Sequence, residues 1–345
     1  MRSIPVTLFA VTAASPLALL ALGITLGGFW PLAALAYMTL AAVTLDLLLP
    51  RTTGSSDDTE FPAANALLTA LGLSALGALP LLTWAIAGPS GQSPLARAAL
   101  FLAGGLWLGQ VAHPAAHELI HRPRPLFTLG VAVYTALLFG HHASAHRLVH
   151  HRLVATADDP NTARAGEGYY RFLLRAWSHS FRKGRAAETA LRQTTPGLHP
   201  YAIYLTGAAL ALTLATLIAG LPGLLTWTGL SLHAGSQILL SDYVQHYGLT
   251  RHLLPNGKPE PVTAAHSWNT PHWFSAALML NAPRHSDHHT HPQRPYPALD
   301  LPDDAPLLPW PLPLACLIAL VPPLWRRKMR PELARWQARQ TLSKP

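Results

Sequence analysis

The chain has 345 residues, 50% of them hydrophobic and only 12% charged, about half the charge of an ordinary soluble domain, which argues against a soluble enzyme. Its formal charge of +9 comes from 25 lysines and arginines against 16 acidic residues, and no nucleic-acid recognition motif accompanies the excess, so nucleic-acid binding is not expected. A single cysteine, Cys316, excludes an internal disulfide, a four-cysteine iron site and a Cys-x-x-Cys redox pair.

A run of about 18 or more apolar residues reads as a membrane span, because about 20 residues at 1.5 Å rise cover the hydrocarbon core. Such runs fall at 4–27, 29–49, 62–87, 95–116, 201–218 and 221–240. They predict an all-α integral membrane protein with six transmembrane helices. The first run is long for the apolar part of a signal peptide and is followed almost at once by the second, so it is read as a helix. Asp46, near the end of the second span, is expected to reach water and receives no role. The stretch 126–140 is short for a span, and a crossing there would part the histidines on either side of it. It is expected to be re-entrant or interfacial. Residues 169–185 alternate aromatics with arginines and read as an amphipathic helix lying flat at the membrane surface. His233 lies inside a span, where a polar residue is a functional candidate by default, although a hydrogen bond to a neighbouring helix would explain it as well. The stretch 307–324 carries five prolines, Pro309, Pro311, Pro313, Pro322 and Pro323. A proline costs a helix interior about 3 kcal/mol, so this stretch is read as packed cytoplasmic chain.

The connections near Gly28, at 88–94 and at Gly220 hold no lysine or arginine, and Arg97 alone lies next to that side. By the positive-inside rule both termini, the acidic loop 51–60 and the segments 117–199 and 241–345 are cytoplasmic. The positive charge then forms a cytoplasmic face attracted to anionic lipid, or to an acidic partner. The stretch Arg326 to Arg330 reads most simply as its lipid-facing patch, with electron-carrier docking as the alternative. The whole chain, 1–345, reads as one membrane-embedded domain.

The 19 histidines are the anomaly, since imidazole is the commonest transition-metal side-chain ligand. Four groups stand out. His117 and His121 flank Glu118 at i, i+4, on one helical face. Alone, that pattern is also the signature of zinc metalloproteases, with Glu118 as general base. The second group is His146, His150 and His151, again with an i, i+4 pair; the third is His246; the fourth is His285, His288 and His289. These nine histidines exceed one zinc site, which takes three or four protein ligands. Two metal ions fit the count, and neutral imidazoles without thiolates suit iron, copper, nickel or zinc. The others, His113, His141, His142, His179, His199, His233, His252, His266, His272 and His291, are read as structural or surface residues, with His272 the best exception.

The ordered motifs resemble the AlkB-type alkane 1-monooxygenases, integral-membrane non-haem di-iron hydroxylases related to the xylene monooxygenase membrane subunit and to fatty-acid desaturases. His117 to Arg122 resembles the first box of that family, and Phe139-Gly140-His141 with His146 to His151 its second. Val154 to Pro160 is similar to the segment that follows the second box. Asp242 to Leu249 resembles its Asn-Tyr-x-Glu-His-Tyr-Gly-Leu motif, which separates it from desaturases. Arg284 to His289 with Pro292, Arg294, Tyr296 and Leu299 resembles the last box and its tail, and Ala319 to Arg327 a C-terminal segment. The resemblance runs from about Leu95 to Met329.

That resemblance implies a helical bundle under a cytoplasmic, histidine-rich catalytic cap in which the nine histidines hold two iron ions. It implies hydroxylation of a terminal or benzylic C–H bond of an alkyl substrate entering from the bilayer, with O2. Electrons would come from a separate rubredoxin or ferredoxin and its NAD(P)H-dependent reductase, and the setting would be a bacterial inner membrane. Glu118 and Asp287, with Asp242, are the implied carboxylates behind the ligand rings. The chain departs from the pattern at Ala145 and Gln245, where glutamates are usual, at Val149 for glycine, at Asp242 for asparagine, and at Ala282 and Pro283 for leucine and glutamine. The rival readings are a fatty-acid desaturase or hydroxylase of the same superfamily, an intramembrane zinc protease, and a non-enzymatic metal-binding or transport protein.

Overall fold

Uncharged apolar sequence becomes long helix, and glycines with left-handed φ end it. The computed structural model describes residues 5–49, 51 and 61–342. The first residue of the earliest expected span and nearly all of the acidic loop lie outside the described residues. Helix α1 (Val6–Leu26) stops at Gly27 and Gly28, with φ of 62° and 61°, values that glycine adopts without steric cost. Helix α2 (Trp30–Leu48) returns beside it, and Tyr37 donates its hydroxyl to the Thr12 carbonyl at 3.1 Å. Helices α3 (Pro62–Ala87) and α4 (Pro94–Ile120) form a second hairpin. At its turn the Arg97 guanidinium donates to the carbonyls of Ile86 and Gly88, at 2.5 and 3.0 Å. A cation there satisfies carbonyls that a helix end leaves open. Gln92 Nε2 donates to Gly23 and Ile24, each at 3.1 Å, so the two charge-poor turns share one end of the bundle.

Helix α5 (Leu126–Ala136) has 11 residues, about 16 Å of helix, too short to cross a bilayer. It runs back along the end of α4, with Gly130 against Ala116 and Leu119 and the Tyr134 hydroxyl donating to the His113 carbonyl at 3.4 Å. The chain reverses at Leu138, φ 56°, and the helical stretch α6 (142–153) returns to the end of α4 that carries His117. The histidines before and after α5 therefore share one end, as the re-entrant expectation requires. Helix α7 (Tyr169–Thr194) buries Tyr169, Phe172, Ala176, Ser180, Gly184 and Glu188, a stripe at helical spacing. It extends past the expected 169–185 and packs this stripe against α6 and the helix that follows it.

Helix α8 (Pro200–Gln245) is one element of 46 residues broken at Ala219 (φ −152°, ψ 28°) and Gly220 (φ 59°, ψ −145°). Were it straight it would be about 70 Å long. Instead the Tyr201 hydroxyl donates to the Phe181 carbonyl at 2.8 Å, while Gly235 packs on Trp177, one turn away on α7. The halves 200–218 and 221–245 are therefore antiparallel. Among the described residues five helices are long and apolar enough to cross a membrane, the fifth being this broken one.

One expectation is corrected. Asp46 is buried and does not reach water: helix α9 (Trp273–Leu278) packs over α2, and Asp46 Oδ1 accepts from the Ser275 N–H at 2.9 Å. The proline-rich stretch 307–324 is packed and holds no span among the described residues, although it contains short helix. Pro313 falls in the first turn of α11 (Leu312–Ala319), and Pro322 and Pro323 open α12 (Pro322–Leu342). α10 (His285–Thr290) precedes both of these helices. Proline costs little in a first turn, where the missing N–H has no helical partner.

Candidate metal centre

Four chain segments deliver imidazoles to one place: the end of α4, α6, the residue after α8, and α10. Buried Asn269 fixes α10, its Oδ1 accepting from the Ser286 N–H at 2.9 Å and its Nδ2 donating to Ser286 Oγ at 2.6 Å. The chain after α8 is tied to the chain after α6 by Gly248 N–H to Ala163 and Arg251 N–H to Ala155, at 2.9 and 2.7 Å. That pairing sets His246 beside His150, with ring centroids 4.9 Å apart.

The nine histidines singled out by spacing fall into two sets, each able to hold a metal ion: His117, His121, His146, His151 and His288, and His150, His246, His285 and His289. In the first, Nε2 of His146 lies 2.7 Å from that of His117 and 2.8 Å from that of His151, and His151 lies 3.2 Å from His288. In the second, His285 Nε2 lies 3.0 Å from His246 and 3.1 Å from His289. The sets abut, with the rings of His151 and His289 4.8 Å apart.

The donor chemistry fits a metal. Neighbouring ligands about 2.1 Å from one ion are about 3 Å apart, which is the observed spacing. A neutral imidazole offers one N–H and one lone pair, so a cation shared by converging Nε2 lone pairs satisfies more of them than hydrogen bonds among the rings do. Nε2 of His121 and of His150 have no hydrogen-bond partner. Burial first, and then neighbouring imidazoles, hold His121, His146, His151, His285, His288 and His289 well below the usual histidine range. Burial brings His246 down to about 3. These rings are thus neutral near pH 7 and their lone pairs are available.

The division into sets corrects the pairing of His146 with His150. Residues His146–His150 form a wide turn with i to i+5 spacing, a feature concentrated at functional sites. Five residues apart, His146 and His151 face one set, and His150 turns to the other. In the ordinary helix α10, His285 and His289 keep their i, i+4 convergence while His288 faces the first set.

Sequence reasoning missed Asp159. Its Oδ2 lies 2.8 Å from His150 Nδ1 and accepts from Thr162 Oγ1 at 2.7 Å, and Oδ1 accepts from the Asn161 N–H at 3.1 Å. Burial disfavours a charged His150, but the Asp159 carboxylate outweighs it and raises the imidazole above its ordinary range. An ion held by the second set would take the place of the Nε2 proton, while the hydrogen bond keeps the other proton on Nδ1. Its place in the segment Val154 to Pro160 is the only linear signal, and it names no partner; a turn at Ala155, φ 59°, folds the residue back under His150.

The three expected carboxylates are placed differently. Glu118 is buried and paired with Arg122 at 2.7 Å, with Oε1 3.9 Å from His117 Nδ1 and 4.0 Å from His288 Nδ1. It stands beside both rings without bonding to either, and its pairing gives the protease-base role no support. Asp287 accepts from Arg294 at 2.7 and 2.8 Å, from His291 Nδ1 at 2.7 Å and from the Asp300 N–H at 2.8 Å. It organises the chain after α10, not a ring of either set. Asp242 accepts from Asn161 Nδ2 at 2.6 Å, one residue removed from the Asp159–His150 pair. Ala145 packs against Gly184, and Gln245 bonds to Ser241 Oγ at 2.8 Å and the Ala282 carbonyl at 2.9 Å.

A cavity of about 660 Å³ runs from His117, His146, His285 and His288 along α2, α4, the second half of α8 and α11. Its walls include Met38, Val43, Leu106 and Leu314, and it reaches the bundle surface where Leu40 and Leu317 are exposed. His142, read as structural from sequence, stacks on Phe139 and lies on this wall with its ring 5.1 Å from that of His146. His272 lies at the start of α9 and joins neither set.

A family model described as Fatty acid desaturase matches residues 92–303. The chain belongs to the fatty acid desaturase family. It is similar to alkane 1-monooxygenase 2 of Pseudomonas aeruginosa, 32% identical over 273 residues covering 76% of this chain and 71% of that protein. It is also similar to alkane 1-monooxygenase of Ectopseudomonas oleovorans, 33% identical over 72% of this chain and 63% of that one. A third relative is alkane 1-monooxygenase 1 of Alcanivorax borkumensis, 34% identical over 68% of this chain and 61% of that one. The chain thus spans a little under two thirds of the length of the last two.

Proposed function

We propose that this protein is a membrane monooxygenase that hydroxylates a C–H bond of a hydrophobic alkyl substrate with O2, using two iron ions. The observation that carries the reading is the pair of abutting, all-histidine sets at the inner end of an apolar cavity that reaches the bundle surface. The relatives named alkane 1-monooxygenase agree with it. His117, His121, His146, His151 and His288 would hold one ion and His150, His246, His285 and His289 the other.

The chemistry such ions supply is reductive activation of O2: one oxygen atom enters the C–H bond and the other leaves as water, with two electrons and two protons consumed. This chain's residues do the rest. Asp159 fixes the tautomer of His150, and Glu118, held by Arg122, sets a carboxyl oxygen beside His117 and His288. The apolar walls accept a chain from lipid and keep water from the oxidant. The single cysteine cannot build an iron–sulfur donor, so electrons come from a separate rubredoxin or ferredoxin with its NAD(P)H-dependent reductase. The halves of α8 cross separately, making six spans, with the histidine end on the basic, cytoplasmic side of the inner membrane. The test is reconstitution in nanodiscs with iron, a rubredoxin or ferredoxin system and an alkane. O2-dependent alcohol formation supports the reading, and reductant-independent peptide cleavage overturns it.

A further inference from the structure

A cavity for a plain hydrocarbon needs only hydrocarbon walls, yet one band of this cavity is polar. Gln110 on α4 and His233, Ser236 and Gln237 on α8 line it. Gln110 Nε2 donates to Gln237 Oε1 at 3.1 Å, and Gln237 Nε2 donates to the carbonyls of Gly105 and His233 at 2.9 and 3.2 Å. Gln110 Oε1 and His233 Nδ1 have no partner. Polar groups in a membrane interior are costly unless paired and are functional candidates by default. The opposing helix makes room for them. A Cβ on Gly105 would clash with the His233 ring, and one on Gly109 with the Gln237 amide. Glycines at i and i+4 on one helix thus house polar residues at i and i+4 on the other.

This band is set back from the histidine sets by a measurable length. Gln110 precedes His117 by seven residues and His233 precedes His246 by 13, about 10 and 20 Å of helix. An extended chain advances about 1.2 Å per bond, so the gap is on the order of 8 to 16 bonds. Gln110 Nε2 is taken up by Gln237 and Gln237 Nε2 by the Gly105 and His233 carbonyls, so what remains is the Gln110 acceptor and an imidazole that donates or accepts according to its tautomer. A hydroxyl, which donates and accepts, matches this pair of groups chemically. Among the described lining residues there is no lysine or arginine to neutralise a carboxylate.

We propose that the substrate is a medium-length alkyl chain bearing a hydroxyl at the end remote from the metal, held by Gln110 and His233, which Gln237 positions, so that its terminal methyl faces the histidines. The inference rests on the hydroxylase reading above. The terminal C–H bond becomes C–OH with one atom of O2. The other atom leaves as water, using two electrons from the reduced iron–sulfur donor and two protons, and the product is an α,ω-diol.

The test sets dodecane against 1-dodecanol with the reconstituted, iron-loaded protein, and measures binding of the two radiolabelled chains without reductant. The wild type is expected to favour 1-dodecanol at least about tenfold in kcat/KM, since a site built to bond a hydroxyl rejects the analogue that lacks it. Its product is 1,12-dodecanediol, not dodecanal. In Gln237→Leu and in Gly105→Ala, which crowds His233, the preference falls toward one. The ratio is taken within each variant, so partial loss of folded protein cancels. Equal use of both chains, dodecanal as the main product, or an unchanged ratio in both variants overturns the inference and leaves the hydroxylase reading intact. Tighter binding of the alcohol by wild type but not by the variants, with neither chain oxidised, overturns the hydroxylase reading and supports the polar band as a hydroxyl site.

Discussion

Replacing Asp159 by asparagine is the sharpest probe of how the second histidine set is held. The carboxylate lies 2.8 Å from His150 Nδ1, both groups are buried, and Thr162 Oγ1 and the Asn161 N–H complete its bonds. Asparagine keeps the shape and removes the charge that makes His150 a better donor. Disturbing such a partner costs about 10 to 100-fold in metal affinity, or about 1.4 to 2.7 kcal/mol. The loss should be confined to the set of His150, His246, His285 and His289, because no ring of the other set touches Asp159 among the described contacts. Iron retention is measured during dialysis against a graded chelator, with Mössbauer spectra of the retained iron. Asp159→Asn is expected to release about one iron per chain at a 10 to 100-fold lower chelator concentration than wild type. Release of both ions together, or retention like that of wild type, would refute the assignment of Asp159 to one set.

Three further outcomes are expected. Gly220→Ala strains the reversal between the halves of α8, since φ 59° with ψ −145° is close to glycine-only backbone; a loss of about 1 to 3 kcal/mol should appear as a lower unfolding temperature in nanodiscs. His142→Phe should retain the iron content of wild type and alter turnover, because the ring lines the cavity beside His146 without joining either set. Glu167 is half-buried and accepts from Arg175 Nε and Nη2, at 2.8 and 2.7 Å. Burial alone would raise its carboxyl, but the Arg175 bonds outweigh it and hold the group below the usual 4.5. A depressed acid contributes stability above its unfolded value and loses it as pH falls through the folded one. Glu167→Gln should therefore cost about 2 kcal/mol at pH 7 in denaturant titrations, and progressively less below the usual value of 4.5.

Helical apolar runs and histidine spacing are short-range signals, which is why the long helices and all nine clustered histidines were legible before any fold was known. What sequence hid depends on chain returning from a distance. The wide turn at His146–His150 decides which set each ring joins, and no i, i+4 rule anticipates it. Asp159 reaches His150 only after the reversal at Ala155. Asp46 looked wet because α9, more than 200 residues later, covers it. Prolines in 307–324 read as helix breakers, whereas Pro313, Pro322 and Pro323 sit in first turns where they are tolerated. Asp287 looked like a partner for the adjacent histidines, yet Arg294 and His291 take its oxygens.

The central claim is that nine histidines form two metal sites of different membership. Iron and zinc per polypeptide should be quantified in protein purified from iron-supplemented cells, for wild type, His288→Ala and His289→Ala. About two irons in the wild type, with His288→Ala weakening one site and His289→Ala the other as resolved by Mössbauer spectroscopy, is the result this account predicts. One zinc per chain, unchanged in both variants, would contradict it.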